Sequence, residues 1–184
     1  TWNCNLNLAK KFHILEPYNC DIFIIQECER LKKNFFPNYD YFWSGKNEKK
    51  GLGILVTKSL KARISNLNNQ NLIYFLPLET ELTNLLGVWA FNHRASKFGK
   101  EFSGYTSNAL SFYKNWLVQS NKFILGGDLN NSVLWDKGDK HNNFLNIESF
   151  LRNLDYESIY HSHFNEKYGY EKQPTFFHTK NENK

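Results

Sequence analysis

The stretch Asn121 to Asn131, NKFILGGDLNN, constrains the fold more than any other. Phe123-Ile124-Leu125 is a continuous apolar run, the mark of a buried strand. It stops at Gly126-Gly127, where the backbone is free to take φ > 0 or to come close to another group. Asp128 and Asn130 then follow in a turn. An acid and an amide delivered where a buried strand gives way to a loop are a common way to build a site. Taken alone, the segment is equally an ordinary Gly-Asp turn with Asn130 as a cap.

Other strands end the same way. Asp21 to Glu27 is a second apolar run, and it closes on Gln26-Glu27. Leu85 to Phe91 is another, and it closes on Asn92-His93-Arg94. Thr1 to Asn5 reads as the end of a strand on which Asn3 and Asn5 share a face, because side chains alternate. Singly, Glu27 is a solvated carboxylate at a boundary and His93 a hydrogen-bonded structural histidine or a group that meets phosphate. Four strands ending alike give the pattern its weight.

The remaining elements fill in around these runs. Leu8, Phe12 and Leu15 fall at helical spacing, and Pro17 stops that helix. Residues 28 to 50 read as loop, their aromatics interleaved with Lys46, Lys49 and Lys50. Such aromatics stack bases in some proteins and more often pack a loop onto the body. Gly51 to Val56 is a strand, and its lone Gly-Leu-Gly is no nucleotide loop, since no Lys-Ser/Thr helix follows. Arg63 to Leu67 and Leu72 to Leu78 read as two strands around a turn. Thr106-Ser107-Asn108 caps a helix carrying Leu110, Tyr113 and Leu117. A polar loop with Trp135, Asp136 and Asp139 follows, then a helix marked by Phe144, Ile147, Leu151 and Leu154. Ser158 to Phe164 reads as a strand with His161 and His163 on one face, and Pro174 to His178 begins another. Strands outnumber helices without strict alternation, which predicts a mixed α/β sandwich.

Composition narrows the partners. At 184 residues the chain is expected to form one domain over 1–184. With 23 Lys and Arg against 18 Asp and Glu, its formal charge of +5 fits a phosphate-rich partner. Cys4, Cys20 and Cys28 form no tight pair, so no disulfide scaffold is expected, and a reducing, cytoplasmic setting follows. No apolar run is long enough to span a bilayer.

If the four strand ends gather at one edge, they present oxygen ligands and an imidazole. Oxygen ligands suit Mg²⁺ or Mn²⁺, and such a cation suits attack on phosphate. The pieces TWNCN, IIQECE, GLGILV, FNHR, GGDLN and PTFF also resemble, in order, those of the endonuclease/exonuclease/phosphatase superfamily, which includes exonuclease III-like and DNase I-like enzymes.

That resemblance implies a four-layer α-β-β-α sandwich of two mixed sheets. It makes Glu27 the main metal ligand, assisted by Asn3, with Mg²⁺ or Mn²⁺ as cofactor. Asp128 would orient the attacking water, Asn130 would hold phosphate or water, and His93 would bind or protonate the phosphate. Asn5, Asn92 and Arg94 fall on the substrate side. Asn5 stands where some relatives carry a second acid. The family continues past the PTFF-like strand with an Asp and a final Ser-Asp-His motif, whereas this sequence ends at Lys184. The chain is therefore expected to be incomplete at its C-terminus, lacking the last strands. The implied function is Mg²⁺-dependent hydrolysis of nucleic-acid phosphodiesters, DNA favoured, by a monomer that binds no membrane. Two alternatives stand beside it: a phosphoesterase acting on a small or lipid phosphate, and a catalytically impaired binding domain.

Overall fold

In the computed structural model, which describes residues 1–91, 105–119, 122–138 and 142–173, the apolar runs become strands. The chain divides into two compact units, Thr1–Asn130 and Asn131–Lys184.

The first unit begins with a short strand β1 (Trp2–Asn3), followed by α1 (Leu8–Lys11) and two 3-10 turns, Phe12–Ile14 and Glu16–Tyr18. Strands β2 (Ile22–Cys28), β3 (Tyr39–Asn47) and β4 (Lys50–Thr57) come next. Then come β5 (Arg63–Ile64), β6 (Phe75–Glu79), β7 (Asn84–Trp89), helix α2 (Thr106–Gln119) and β8 (Phe123–Asp128). They build two four-stranded sheets, ordered β1-β2-β4-β3 and β5-β6-β7-β8. Each sheet is mixed: β1 runs parallel to β2, and β7 parallel to β8, while the other pairs are antiparallel.

Burial on both faces explains the continuous apolar runs of β2 and β4. β8, last in its sheet among the described residues, is only half-covered and leaves Ile124 exposed, so the buried strand expected over Phe123–Leu125 is not buried. One face of β2 and β4 puts Ile24, Leu52, Ile54 and Val56 against Leu76, Leu78, Leu85 and Trp89 of the second sheet. The opposite face puts Phe23, Ile25 and Leu55 under Leu8 and Leu15, with Phe12 packed on the same cluster. On the far side of the second sheet, Trp116 of α2 meets Phe123 edge-on at 4.8 Å. The layers are helix, sheet, sheet, helix, as the resemblance implies. Glycines set the distance between the sheets: a Cβ on Gly87 would lie 2.4 Å from Ile54 Cδ1.

Several readings need correction. Of residues 28–50, 29–38 are loop, but Tyr39–Asn47 is a strand that pairs with β4, with a register shift between Ser44 and Asn47. Tyr39, Tyr41 and Trp43 join the outer cluster and Phe42 the inter-sheet core, so these aromatics pack. The strand expected over 63–67 is two residues long, and the next begins at Phe75. Pro17 does not stop the first helix; it lies inside the second 3-10 turn, which ends at Asn19 with φ 45°.

In the second unit, α3 (Phe144–Arg152) lies where the apolar spacing predicts it. Both Asp136 oxygens accept N–H bonds at its start, from Phe144 at 2.6 Å and Leu145 at 3.0 Å, so this acid is a helix cap. Residues 158–164 form no strand: Ile159–Phe164 is a helix, α4. His161 and His163 therefore do not share a face. His161 bonds Ser158 Oγ through Nδ1 and Glu171 Oε1 through Nε2. All three cysteines are free thiols. Among the described residues no helix is long and apolar enough to cross a membrane. The segments 92–94 and 174–178, and Asp139, lie outside the described residues.

Candidate functional site

The site grows from the way β2 ends. Ile22, Ile24 and Gln26 face the second sheet, and Phe23 and Ile25 face the outer cluster. Cys28 should face the second sheet by alternation, yet it belongs to the outer cluster. Glu27 is the inserted residue. The ladder with β4 shifts between Gln26 and Cys28, and Glu27 takes φ 59°, a left-handed conformation unusual for a long side chain. Main-chain bonds hold it there. Leu6 N donates to Glu27 O at 2.9 Å, and Cys4 N to Gln26 O at 3.0 Å. Gln26 is buried and is paired with Thr1 Oγ1 at 3.0 Å.

The strand that carries Asn3 turns sharply after it. Asn5, Leu6 and Asn7 all have positive φ, 46°, 69° and 59°. Strand alternation therefore does not reach Asn5, and Asn3 and Asn5 do not share a strand face. Instead Asn5 N donates to Asn3 Oδ1 at 3.2 Å. Asn3 is the register partner of Gln26 on β2.

The end of β8 is built differently. Gly127 has φ 141°, and a Cβ there would lie 1.9 Å from Val88 O. Only glycine fits this close approach to β7. Asp128 follows, opposite Trp89 in the parallel ladder. Its Oδ1 accepts from Asn130 N at 2.9 Å and its Oδ2 from Asn130 Nδ2 at 3.0 Å. Asn130, with φ 45°, also donates to Ala90 O at 2.8 Å, tying the turn to the end of β7.

These ends lie at the same edge of the sandwich. A Cβ on Gly126 would meet Ile24 Cδ1 at 2.9 Å, so β2 crosses β8 there. Two residues further along each strand stand Gln26 and Asp128. β1 packs beside β8 as well. Lys50, at the start of β4, joins the two ends: its Nζ lies 2.8 Å from Glu27 Oε2 and 5.6 Å from the centroid of the Trp89 ring. His93, Asn92 and Arg94 lie outside the described residues.

Two thiols sit close by, and both are held protonated. Burial pushes Cys4 up to about 11 and Cys28 up to about 12. A thiol is nucleophilic only as the thiolate, so these are packing groups. Glu29, close along the chain to Glu27, caps α1 through Leu8 N at 2.8 Å and Ala9 N at 3.0 Å. The sequence alone does not reveal Lys50 as a partner of Glu27, because the contact depends on the register that pairs neighbouring Gly51 with Cys28.

Among the described residues no three His, Cys, Asp or Glu gather as a ready-made metal cage. The donors that the two neighbouring strand ends offer are oxygens, the Glu27 carboxylate and the amide of Asn3, the ladder partner of Gln26. Mg²⁺ takes one or two carboxylates and keeps several waters, so this donor set fits it in kind.

No family model matches the sequence, and no curated protein sequence matches it. Solved structures do match in fold, a DNase I-like sandwich of two mixed sheets flanked by helices. A 3′-5′ exonuclease from Neisseria meningitidis is similar, with TM-score 0.58 and 15% identity over 83% of this chain and 69% of that one. An AP endonuclease from Archaeoglobus fulgidus is similar, with TM-score 0.58 and 13% identity over 90% and 74%. A truncated TDP2 from Caenorhabditis elegans has TM-score 0.50 and 20% identity over 76% and 64%.

Proposed function

We propose that the chain is a divalent-metal-dependent phosphoesterase acting on nucleic-acid phosphodiesters, DNA in the first instance. The observation that carries this reading is the meeting of the Glu27 and Asp128 strand ends at one edge of the sandwich, joined by Lys50 and Trp89. Two structures of the same fold, one described as an exonuclease and one as an AP endonuclease, support it. So does the excess of cations.

Glu27 and Asn3 would hold Mg²⁺ or Mn²⁺, which supplies charge neutralisation on the phosphate. The chain's own work centres on Asp128. Its carboxylate is fixed by two bonds from Asn130 and is aimed by the turn, so it orients a water and accepts its proton. Asn130 holds that carboxylate in place. His93 binds the phosphate, and Asn5, Asn92 and Arg94 bind substrate.

A second reading has one observation in its favour. Lys50 already neutralises Glu27, as it would in a binding domain that takes no metal. Nicking of plasmid DNA separates the two. The phosphoesterase nicks in Mg²⁺, stops in EDTA, and loses roughly 10²–10⁴-fold in Asp128→Ala. Nicking that EDTA does not touch, or that Asp128→Ala leaves unchanged, sinks the metal-dependent mechanism.

A further inference from the structure

We infer that Lys50 is a resident counter-cation for Glu27, which a divalent metal must displace in order to bind. The inference rests on the phosphoesterase reading and concerns the same site.

Three observations place Lys50 in this role. Its Nζ meets Glu27 Oε2 at 2.8 Å. The same ammonium stands over the Trp89 ring, 5.6 Å from its centroid, where the ring face attracts a cation. Trp89 is in turn the ladder partner of Asp128. The ammonium is thus held at the point where the β2 and β8 ends meet, on the carboxylate best placed to take a metal. An ammonium and a divalent cation cannot share one carboxylate oxygen at close range without repulsion. Binding of metal therefore releases Lys50 from Glu27.

The pair is built so that the exchange is cheap. The Lys50 side chain is 43% exposed and that of Glu27 20%, so water solvates the ammonium as it leaves. Pairs of this kind contribute little net stability, which makes the barrier to metal uptake small but measurable. The left-handed backbone at Glu27 is fixed by main-chain bonds and not by Lys50. The carboxylate therefore stays at the edge when its partner goes.

Mn²⁺ titration followed by electron paramagnetic resonance tests this on the whole chain, with Lys50→Gln, Lys50→Arg and Glu27→Gln beside the wild type and thermal melts as a folding control. The expected result is tighter Mn²⁺ binding in Lys50→Gln by roughly three- to tenfold, near-wild-type affinity in Lys50→Arg, and loss of the site in Glu27→Gln. If wild type binds through Glu27 and Lys50→Gln binds no more tightly, the displacement idea is overturned and the phosphoesterase reading survives. If no variant takes up Mn²⁺ in a Glu27-dependent way, both are overturned.

Discussion

The two acidic strand ends solve the same problem in opposite ways. At the end of β8, Asp128 is held locally: both of its oxygens accept bonds from Asn130, two residues on, and Asn130 is anchored to Ala90 O. At the end of β2, the Glu27 backbone is held by main-chain bonds, while its carboxylate is held by a side chain from another strand, Lys50. The first acid receives two neutral donors from Asn130. The second is oriented by a cation and is open to exchange for another. A carboxylate that must aim a water gains from the first arrangement, and one that must take up a metal gains from the second.

The sharpest way to break this contrast is at Gly127. Its φ of 141° and its approach to Val88 O leave no room for a Cβ. Gly127→Ala should cost about 3 kcal/mol or more, through both strain and a backbone clash, read from the urea midpoint. The damage should fall on the Asp128 turn. A tolerated Gly127→Ala would mean that the β8 end is looser than its bonds indicate.

A smaller effect is expected one turn later. Asn130→Ala removes the donor to the buried Ala90 carbonyl and places a Cβ residue without a polar side chain at φ 45°. The expected loss is about 2 kcal/mol, from an unsatisfied carbonyl and a left-handed residue. Asn130→Gly keeps the backbone conformation available, so the gap between the two variants isolates the backbone part. If Asn130→Gly is as unstable as Asn130→Ala, the side-chain bond is the dominant contribution.

Much of this was readable beforehand, and the reasons are physical. β2 is legible because a strand buried on both faces must be apolar without interruption, whereas β8 is legible by its Gly-Gly-Asp end, since its apolar run is only half-covered and Ile124 is exposed. The sandwich followed from the order of such runs. β3 is hidden in the sequence because Tyr39 to Trp43 is aromatic and sits among Lys and Asn, which reads as surface until its pairing with β4 is known. Ser158 to Phe164 mimics a strand because Ser, Tyr, Ser alternate with Ile, His, His in a segment too short to show a helical period. Asn5 was misplaced because alternation assumes extended backbone, and three successive left-handed residues end it. The Lys50 contact was out of reach because it depends on the register of two strands more than twenty residues apart.

The smallest expected effect is the one that separates the two ends most directly. Lys50→Gln removes the partner of Glu27 yet leaves the main-chain bonds at Glu27 O and Gln26 O in place. A half-exposed pair of this kind contributes on the order of 1 kcal/mol, so in EDTA the urea midpoint of Lys50→Gln should move less than that of Asn130→Ala. Added salt should shrink the difference from wild type further, because screening weakens the pair in the parent chain. Should Lys50→Gln prove the more damaging of the two, Lys50 would be a structural strut of the β2 end, and the division between a fixed acid and an exchangeable one would not hold.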